Sequence, residues 1–117
     1  EDLKNSYDLI LKNEHKFVFS ATEFPHPIQR GFKKNSSDKG LEMLFPEHYN
    51  TRSQDFPEWM HDAGQFYWGD IDSWLEEAMN FDENSFAYRL PRWRVQDIDT
   101  PDDWKRAELI FKVLKNF

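Results

Sequence analysis

The 117-residue chain has no cysteine, which excludes disulfides and thiolate-bound metals and fits a cytoplasmic setting. It has only four glycines, and none falls in a Walker loop or a dinucleotide fingerprint. No apolar run approaches the roughly 20 residues of a membrane span. The first residues, Glu1-Asp2-Leu3-Lys4, lack a signal-peptide pattern. Basic residues are in deficit, 15 Lys and Arg against 22 Asp and Glu, for a net charge of -7. That field argues against nucleic acid as a partner. An anionic ligand would need local cations or a metal. There is no initiator Met and the chain opens directly in a helix-like pattern, as expected of a piece of something longer.

Aromatic side chains are abundant: 17% of the residues, with 11 Phe and 5 Trp. They supply enough apolar material for a core in a single domain-sized unit, so the acidity does not imply disorder. The mean hydropathy of -0.89 still requires much polar surface.

Spacing of apolar residues predicts a helix over 2–13, from Leu3, Tyr7, Ile10 and Leu11. A strand buried on both faces is expected over 16–22. The two prolines of Phe24-Pro25-His26-Pro27 impose an irregular path. The polar run 34–40 reads as a turn between short strands near 28–33 and 41–45, a hairpin arm; 46–58 reads as loop. A strand is expected over 64–69. Asp70 is placed to cap a helix over 71–79, with Ile71, Trp74, Leu75 and Ala78 on one face. A short strand over 85–90 and an extended stretch over 93–98 follow. Thr100 and Pro101 open a last helix as cap and first residue, with Trp104, Ala107, Phe111 and Leu114 as its stripe. The alternation of helices and strands, with an antiparallel insertion, points to the α/β class.

The densest candidate chemistry is Asp97-Ile98-Asp99-Thr100-Pro101-Asp102-Asp103. On extended backbone Asp97 and Asp99 share a face, and ligands of α/β sheets gather where strands lead into helices. Mg²⁺ takes oxygen ligands and often only one or two protein carboxylates. The plainer reading is a set of solvated acids favouring a helix start. A second Asp-x-Asp, Asp70 and Asp72, is fully explained by capping. Arg52 offers a planar fork suited to a carboxylate, or is simply a loop arginine. Along 61–69, Gln65, Tyr67 and Gly69 share one face and Phe66 and Trp68 the other. The first face can line a polyol pocket, while Phe66 and Trp68 read as packing. His61 beside Asp62 is no base-and-orienter pair, since neighbours on a strand face opposite ways. The four histidines lack zinc spacing. Arg89, Arg92 and Arg94 either neutralise phosphates or pair with nearby acids.

Three stretches together carry a resemblance: Asn50-Thr51-Arg52-Ser53-Gln54-Asp55, His61-Asp62-Ala63-Gly64-Gln65-Phe66-Tyr67-Trp68-Gly69 and Arg94-Val95-Gln96-Asp97-Ile98-Asp99-Thr100. With Phe24-Pro25-His26-Pro27-Ile28-Gln29-Arg30, they resemble the pseudaminic acid cytidylyltransferases, in that family's order. The wider family includes the CMP-N-acetylneuraminic acid synthetases. The resemblance implies the C-terminal portion of a nucleotide-diphospho-sugar transferase, Rossmann-like α/β fold over 1–117, with a β-hairpin dimerisation arm over 28–60.

It also implies coupling of CTP to a nine-carbon sugar acid with release of pyrophosphate, in a cytoplasmic homodimer that uses Mg²⁺. Asp97 and Asp99 fall on the family's metal ligands, Arg52 on the arginine that holds the sugar carboxylate, and Tyr67 on a sugar-site tyrosine; Gln65 shares its face. Sialate relatives carry Lys where Gln29 stands, with Arg30 as a possible substitute. Many of them read Asn-Gly where this chain has Ala63-Gly64. Both departures favour pseudaminate over N-acetylneuraminate or legionaminate. The family's basic, glycine-containing CTP cradle has no match in 1–117. The chain by itself is therefore expected to be inactive, and the competing reading is a non-catalytic sugar-binding or dimerisation fragment.

Overall fold

The computed structural model describes residues 1–117 except Asp38, Glu77, Ala78 and Phe117. The chain divides into two compact units, Glu1–Thr22 with His61–Phe117, and Glu23–Met60.

The first unit is a mixed α/β layer. Its elements are α1 (Asp2–Leu11), β1 (Phe17–Glu23), β4 (Met60–Gly69), α2 (Ile71–Glu76), β5 (Ser85–Arg89) and α3 (Pro101–Leu114). The sheet order is β4-β1-β5. β1 and β5 run parallel, with Phe17 opposite Ser85 and Ala21 opposite Arg89, so the α/β class expected from the sequence is present. β1 is the central strand and the most apolar segment. Phe17, Val18, Phe19 and Ala21 are all buried, as a strand covered on both faces must be. Beyond the ladder, the Leu90 amide donates to the Ala21 carbonyl at 2.8 Å. The buried Thr22 hydroxyl donates to the Leu90 carbonyl, also at 2.8 Å.

Helix α1 ends earlier than its apolar spacing suggests. Asn13 adopts a left-handed conformation, φ 57°, which asparagine tolerates better than most residues and which stops a helix. The buried residue of α1 is Ser6, not the leucines. Its hydroxyl donates to the Asp2 carbonyl at 2.7 Å and accepts from the Trp68 indole at 2.9 Å. Tyr7 stacks obliquely on Trp68, ring centres 5.1 Å apart. A polar contact flanked by aromatic packing thus joins α1 to β4.

Around α2 the expected cap is present: Asp70 accepts from the Ser73 amide at 2.7 Å. The expected apolar face is not buried. Ile71 and Leu75 are 77% and 79% exposed, and Trp74 makes the core contact, edge-on to Phe17 at 4.8 Å. Gly69 makes that contact possible, since a Cβ there would lie 2.7 Å from the Trp74 indole nitrogen and 2.8 Å from the Phe17 ring. Ala78, assigned to this face from the sequence, lies outside the described residues. Helix α3 begins as expected, with Pro101 at its first turn and a capping box between Thr100 and Asp103. Its stripe is largely uncovered; Trp104 is 59% and Phe111 60% exposed.

The stretch 93–98 is not extended throughout. Arg92–Arg94 form a single 3-10 turn after Pro91. The Arg94 amide donates to Pro91 and the Val95 amide to Arg92, at 3.0 and 3.1 Å. The proline's fixed φ sets up this turn. Only from Val95, φ -112° and ψ 126°, is the backbone extended.

The second unit carries a short antiparallel hairpin, β2 (Phe32–Lys34) with β3 (Leu41–Met43). The first hairpin strand is shorter than expected because Ile28–Arg30 close a 3-10 turn behind Pro27. In the hairpin turn the Asn35 side chain accepts from the Ser37 hydroxyl at 2.9 Å and from the Lys39 amide at 3.1 Å. Residues 46–58 contain two further 3-10 turns, Pro46–His48 and Ser53–Asp55.

Candidate active site

In the first unit the candidate residues gather where β4 loses its regular pleat. In a regular strand successive N–H groups point to opposite sides. Here the amides of Gln65 and Phe66 both donate to one oxygen, the buried Ser20 hydroxyl of β1, at 3.0 and 3.1 Å. Just before them, Gly64 has a φ of +68°, a conformation that favours glycine. The side chain of Asp62 stabilises it by accepting from the Gly64 amide at 2.8 Å. An aspartate bonded to the backbone two residues on is a common turn device. An irregular strand position of this kind re-aims the side chains that follow it.

Asp62 also uses its second oxygen. The Tyr67 hydroxyl donates to it at 2.5 Å. The Tyr67 pKa is pushed up to about 12, first by this hydrogen bond, then by burial and by the negative charges of Asp62 and Asp97. Asp97 lies directly over Gly64: a Cβ on the glycine would meet its Cγ and Oδ2 at 3.4 Å. The structure therefore brings together Tyr67 and Asp97, with Asp62 and Gly64 between them. Gln65 is beside them on β4, its amide nitrogen turned back onto the Ala63 carbonyl at 2.7 Å.

The segment leading to Asp97 is tied down from behind. Arg94 pairs with Asp2 of α1, and Tyr88 of β5 donates to the same carboxylate at 3.1 Å. The Arg94 hydrogen bond holds the Asp2 carboxyl below its ordinary pKa. Of the two roles open to Arg94 from the sequence, pairing with an acid is the one observed; Arg89 and Arg92 also have interaction partners. On the far side the Asp103 carboxylate accepts from the amides of Asp99 and Thr100, at 3.1 and 3.0 Å. The Asp103 amide donates back to the Thr100 hydroxyl. The Asp99 amide is the leading cause of Asp103's depressed pKa.

Asp103 is thus committed to the helix start, whereas Asp97 and Asp99 are not. Among the described residues, no hydrogen bond or ion pair reaches the side-chain carboxylate of either. No group of three or more metal-ligating side chains occurs among the described residues. Two uncommitted carboxylates are hard oxygen donors in the number that Mg²⁺ commonly takes from protein, so the donor chemistry fits that ion.

The remaining candidates lie in the second unit. The Arg52 Nε donates to Asp55 at 2.8 Å in an exposed ion pair. Arg30 donates to the carbonyls of Tyr49 and Thr51, the latter through a very short contact. Its guanidinium also sits over the Phe56 ring, 5.2 Å from the centre. Arg30 is therefore a clamp on the loop that ends at Arg52. Gln29 is buried and its amide nitrogen donates to the Pro57 carbonyl at 3.3 Å. It lines an open cavity of about 220 Å³ whose walls include Phe24, Phe56, Glu58 and Trp59.

Reading the sequence overlooked Asp62, Gly64 and Ser20 as parts of the site. The Asp62-Ala63-Gly64 spacing carried a signal for the first two, because aspartate two residues before glycine marks such turns. Ser20 carried none, since its role depends on pairing across the sheet.

No family model matches the chain. Among curated proteins it is similar to pseudaminic acid cytidylyltransferases from two strains of Campylobacter jejuni. Each is 44% identical over 111 residues, covering 95% of this chain and 47% of the relative. A Helicobacter pylori protein named as pseudaminic acid cytidylyltransferase and UDP-2,4-diacetamido-2,4,6-trideoxy-beta-L-altropyranose hydrolase is 38% identical over 97 residues. That match covers 82% of this chain and 18% of the relative. The chain spans about half the length of the Campylobacter relatives. Over nearly all of its own length, then, this chain resembles the C-terminal part of pseudaminic acid cytidylyltransferases.

Proposed function

We propose that this chain is the C-terminal part of a Mg²⁺-dependent cytidylyltransferase that couples CTP to a nonulosonic acid, with pseudaminic acid favoured. The observation that carries this reading is the 44% identity across 95% of the chain to proteins named for that activity. In the reaction, the sugar's anomeric oxygen forms a bond to the α-phosphorus of CTP. The bond from that phosphorus to the bridging oxygen breaks, the hydroxyl proton is released, and pyrophosphate leaves with the electron pair. Asp97 and Asp99 would hold the ion, which when bound offsets charge on the phosphates and the leaving group.

Arg52 receives the sugar carboxylate. Its Nε is engaged by Asp55, which steadies the planar fork for a charge-assisted pair. Tyr67 and Gln65 on β4 are sugar-binding residues on this reading, and so is Gln29, which lies in the second unit. Arg30 is the substitute for the sugar contact that Gln29 departs from, and it also holds the carbonyls of Tyr49 and Thr51 before Arg52. The protein works in the cytoplasm as a homodimer, with residues 28–60 as the arm. Exposed apolar side chains there, Phe32 and Leu41 on the hairpin and Tyr49 beyond it, support that placement. The whole belongs to the Rossmann-like nucleotide-diphospho-sugar transferases.

For the chain by itself a second reading has its own support, a match that covers 47% of the relatives. On that reading it binds sugar or dimerises without turnover. Assaying CTP consumption by this chain and by the full-length protein distinguishes the two. Comparing kcat/KM for pseudaminic, N-acetylneuraminic and legionaminic acids in the full-length protein tests the substrate. The highest value is expected for pseudaminic acid, and a preference for either other acid overturns that assignment.

A further inference from the structure

We propose that Asp62 is a positioning residue that fixes the polarity of the Tyr67 hydroxyl, so that Tyr67 recognises a hydrogen-bond donor on the sugar, a hydroxyl or an amide N–H. The inference rests on the placement of Tyr67 in the sugar site argued above. A phenol has one proton to give. In Tyr67 that proton is directed at Oδ2 of Asp62, at 2.5 Å. The phenolic oxygen is then left with acceptor capacity alone.

Asp62 cannot easily turn away, because its other oxygen accepts from the Gly64 amide at 2.8 Å. That bond maintains the positive φ of Gly64, so one carboxylate sets both the course of the strand and the direction of the hydroxyl. Tyr67 is 43% exposed, leaving its oxygen within reach of a ligand. A ligand group that can only accept, such as a carboxylate, is poorly matched to this oxygen; a donor is well matched. Recognition of a donor by a fixed acceptor discriminates more sharply than apolar contact does, because the unmatched group is left unpaired.

The test is a double-mutant cycle in the full-length protein, read as separate KM and kcat for pseudaminic acid at saturating CTP. Asp62→Asn keeps an oxygen for the Gly64 amide but turns an NH₂ toward Tyr67, which reverses the hydroxyl. The expected result is a rise in sugar KM of about tenfold with a smaller change in kcat, the pattern of a lost binding contact. Tyr67→Phe is expected to raise KM similarly. In the Tyr67→Phe background Asp62→Asn should add less than about twofold, because the two residues act as one unit.

A restored KM in Asp62→Glu would further support action through the carboxylate. Equal effects of Asp62→Asn with and without the Tyr67 hydroxyl would overturn the inference and leave Tyr67 in the sugar site. An unchanged KM in Tyr67→Phe would remove Tyr67 from that site, and the inference with it.

Discussion

Asp97 rests on the backbone of Gly64, close enough that a Cβ on the glycine would lie 3.4 Å from the carboxylate carbon. The glycine is there with a φ of +68°, so the seat of the proposed metal ligand is made from a conformation that other residues adopt at a cost. Gly64→Ala is expected to destabilise the protein by about 1–2 kcal/mol through its left-handed backbone alone. The added methyl would meet the carboxylate at ordinary contact distance, so any shift of Asp97 would come from the backbone relaxing out of its left-handed conformation. A displacement of about 1 Å at a catalytic group can cost about a hundredfold in rate. A urea titration and steady-state kinetics read the two effects separately; wild-type values of both contradict the arrangement.

Neighbouring residues should give opposite phenotypes. Among the described residues, removing the Asp97 or Asp99 side chain breaks no hydrogen bond made by its carboxylate. Asp97→Ala and Asp99→Ala should therefore leave the unfolding midpoint near that of the wild type while abolishing most turnover. Thr100→Ala removes half of the capping box and should cost about 1 kcal/mol of stability with a modest effect on rate. Normal Mg²⁺-dependent turnover in either aspartate variant would sink the metal assignment.

Arg52→Ala should act on the sugar acid. A hydrogen bond to a charged group contributes about 1.5–3 kcal/mol, so KM for the sugar should rise about tenfold or more while KM for CTP holds. Arg30→Ala should produce a weaker version of the same change, since it frees the carbonyls of Tyr49 and Thr51 just before Arg52. An unchanged sugar KM and kcat in Arg52→Ala would remove that residue from the site.

Ser20→Ala withdraws the acceptor shared by the Gln65 and Phe66 amides. Leaving a fully buried donor unpaired costs about 1–3 kcal/mol; these amides are part-buried, so the urea midpoint should fall by the lower part of that range. A change within error would mean that β4 can regularise and does not need the serine.

Acid should also weaken the fold. Asp2, held low by Arg94, and Asp103, held low by the Asp99 amide, both have depressed pKa values. A depressed carboxylate stabilises the fold above its unfolded pKa, about 3.9 for aspartate, and that stabilisation is lost as pH falls through the folded value. Denaturation midpoints between pH 6 and pH 2 should drop below about pH 4, and Asp2→Asn should flatten the drop. Equal slopes in variant and wild type would argue that the Asp2–Arg94 pair is immaterial.

Much of the fold was legible because it is locally encoded. The buried run of β1, the Asp70 cap and the Thr100-Pro101 start each announce themselves within a few residues. The short 3-10 turns after Pro27 and Pro91 were harder to see, because proline fixes one dihedral without saying whether the chain then turns or extends. The buried positions of α1 and α2 are hard to read for another reason. Apolar spacing marks a side that wants cover, while in this chain the serines Ser6 and Ser73 are buried and Ile71 and Leu75 stay exposed. In the candidate site, resemblance points to Asp97 and Tyr67, which the fold brings near each other. Asp62 is not legible in this way, because its bonds to the Gly64 amide and the Tyr67 hydroxyl depend on the positive φ of Gly64.

The central claim is tested most directly by pyrophosphate release from CTP, with pseudaminic acid and Mg²⁺, catalysed by the full-length protein. The account predicts sugar-dependent release with formation of the CMP-sugar, lost on chelation of the metal and absent from Asp97→Ala. A folded full-length protein that releases no pyrophosphate with pseudaminic, N-acetylneuraminic or legionaminic acid would contradict it.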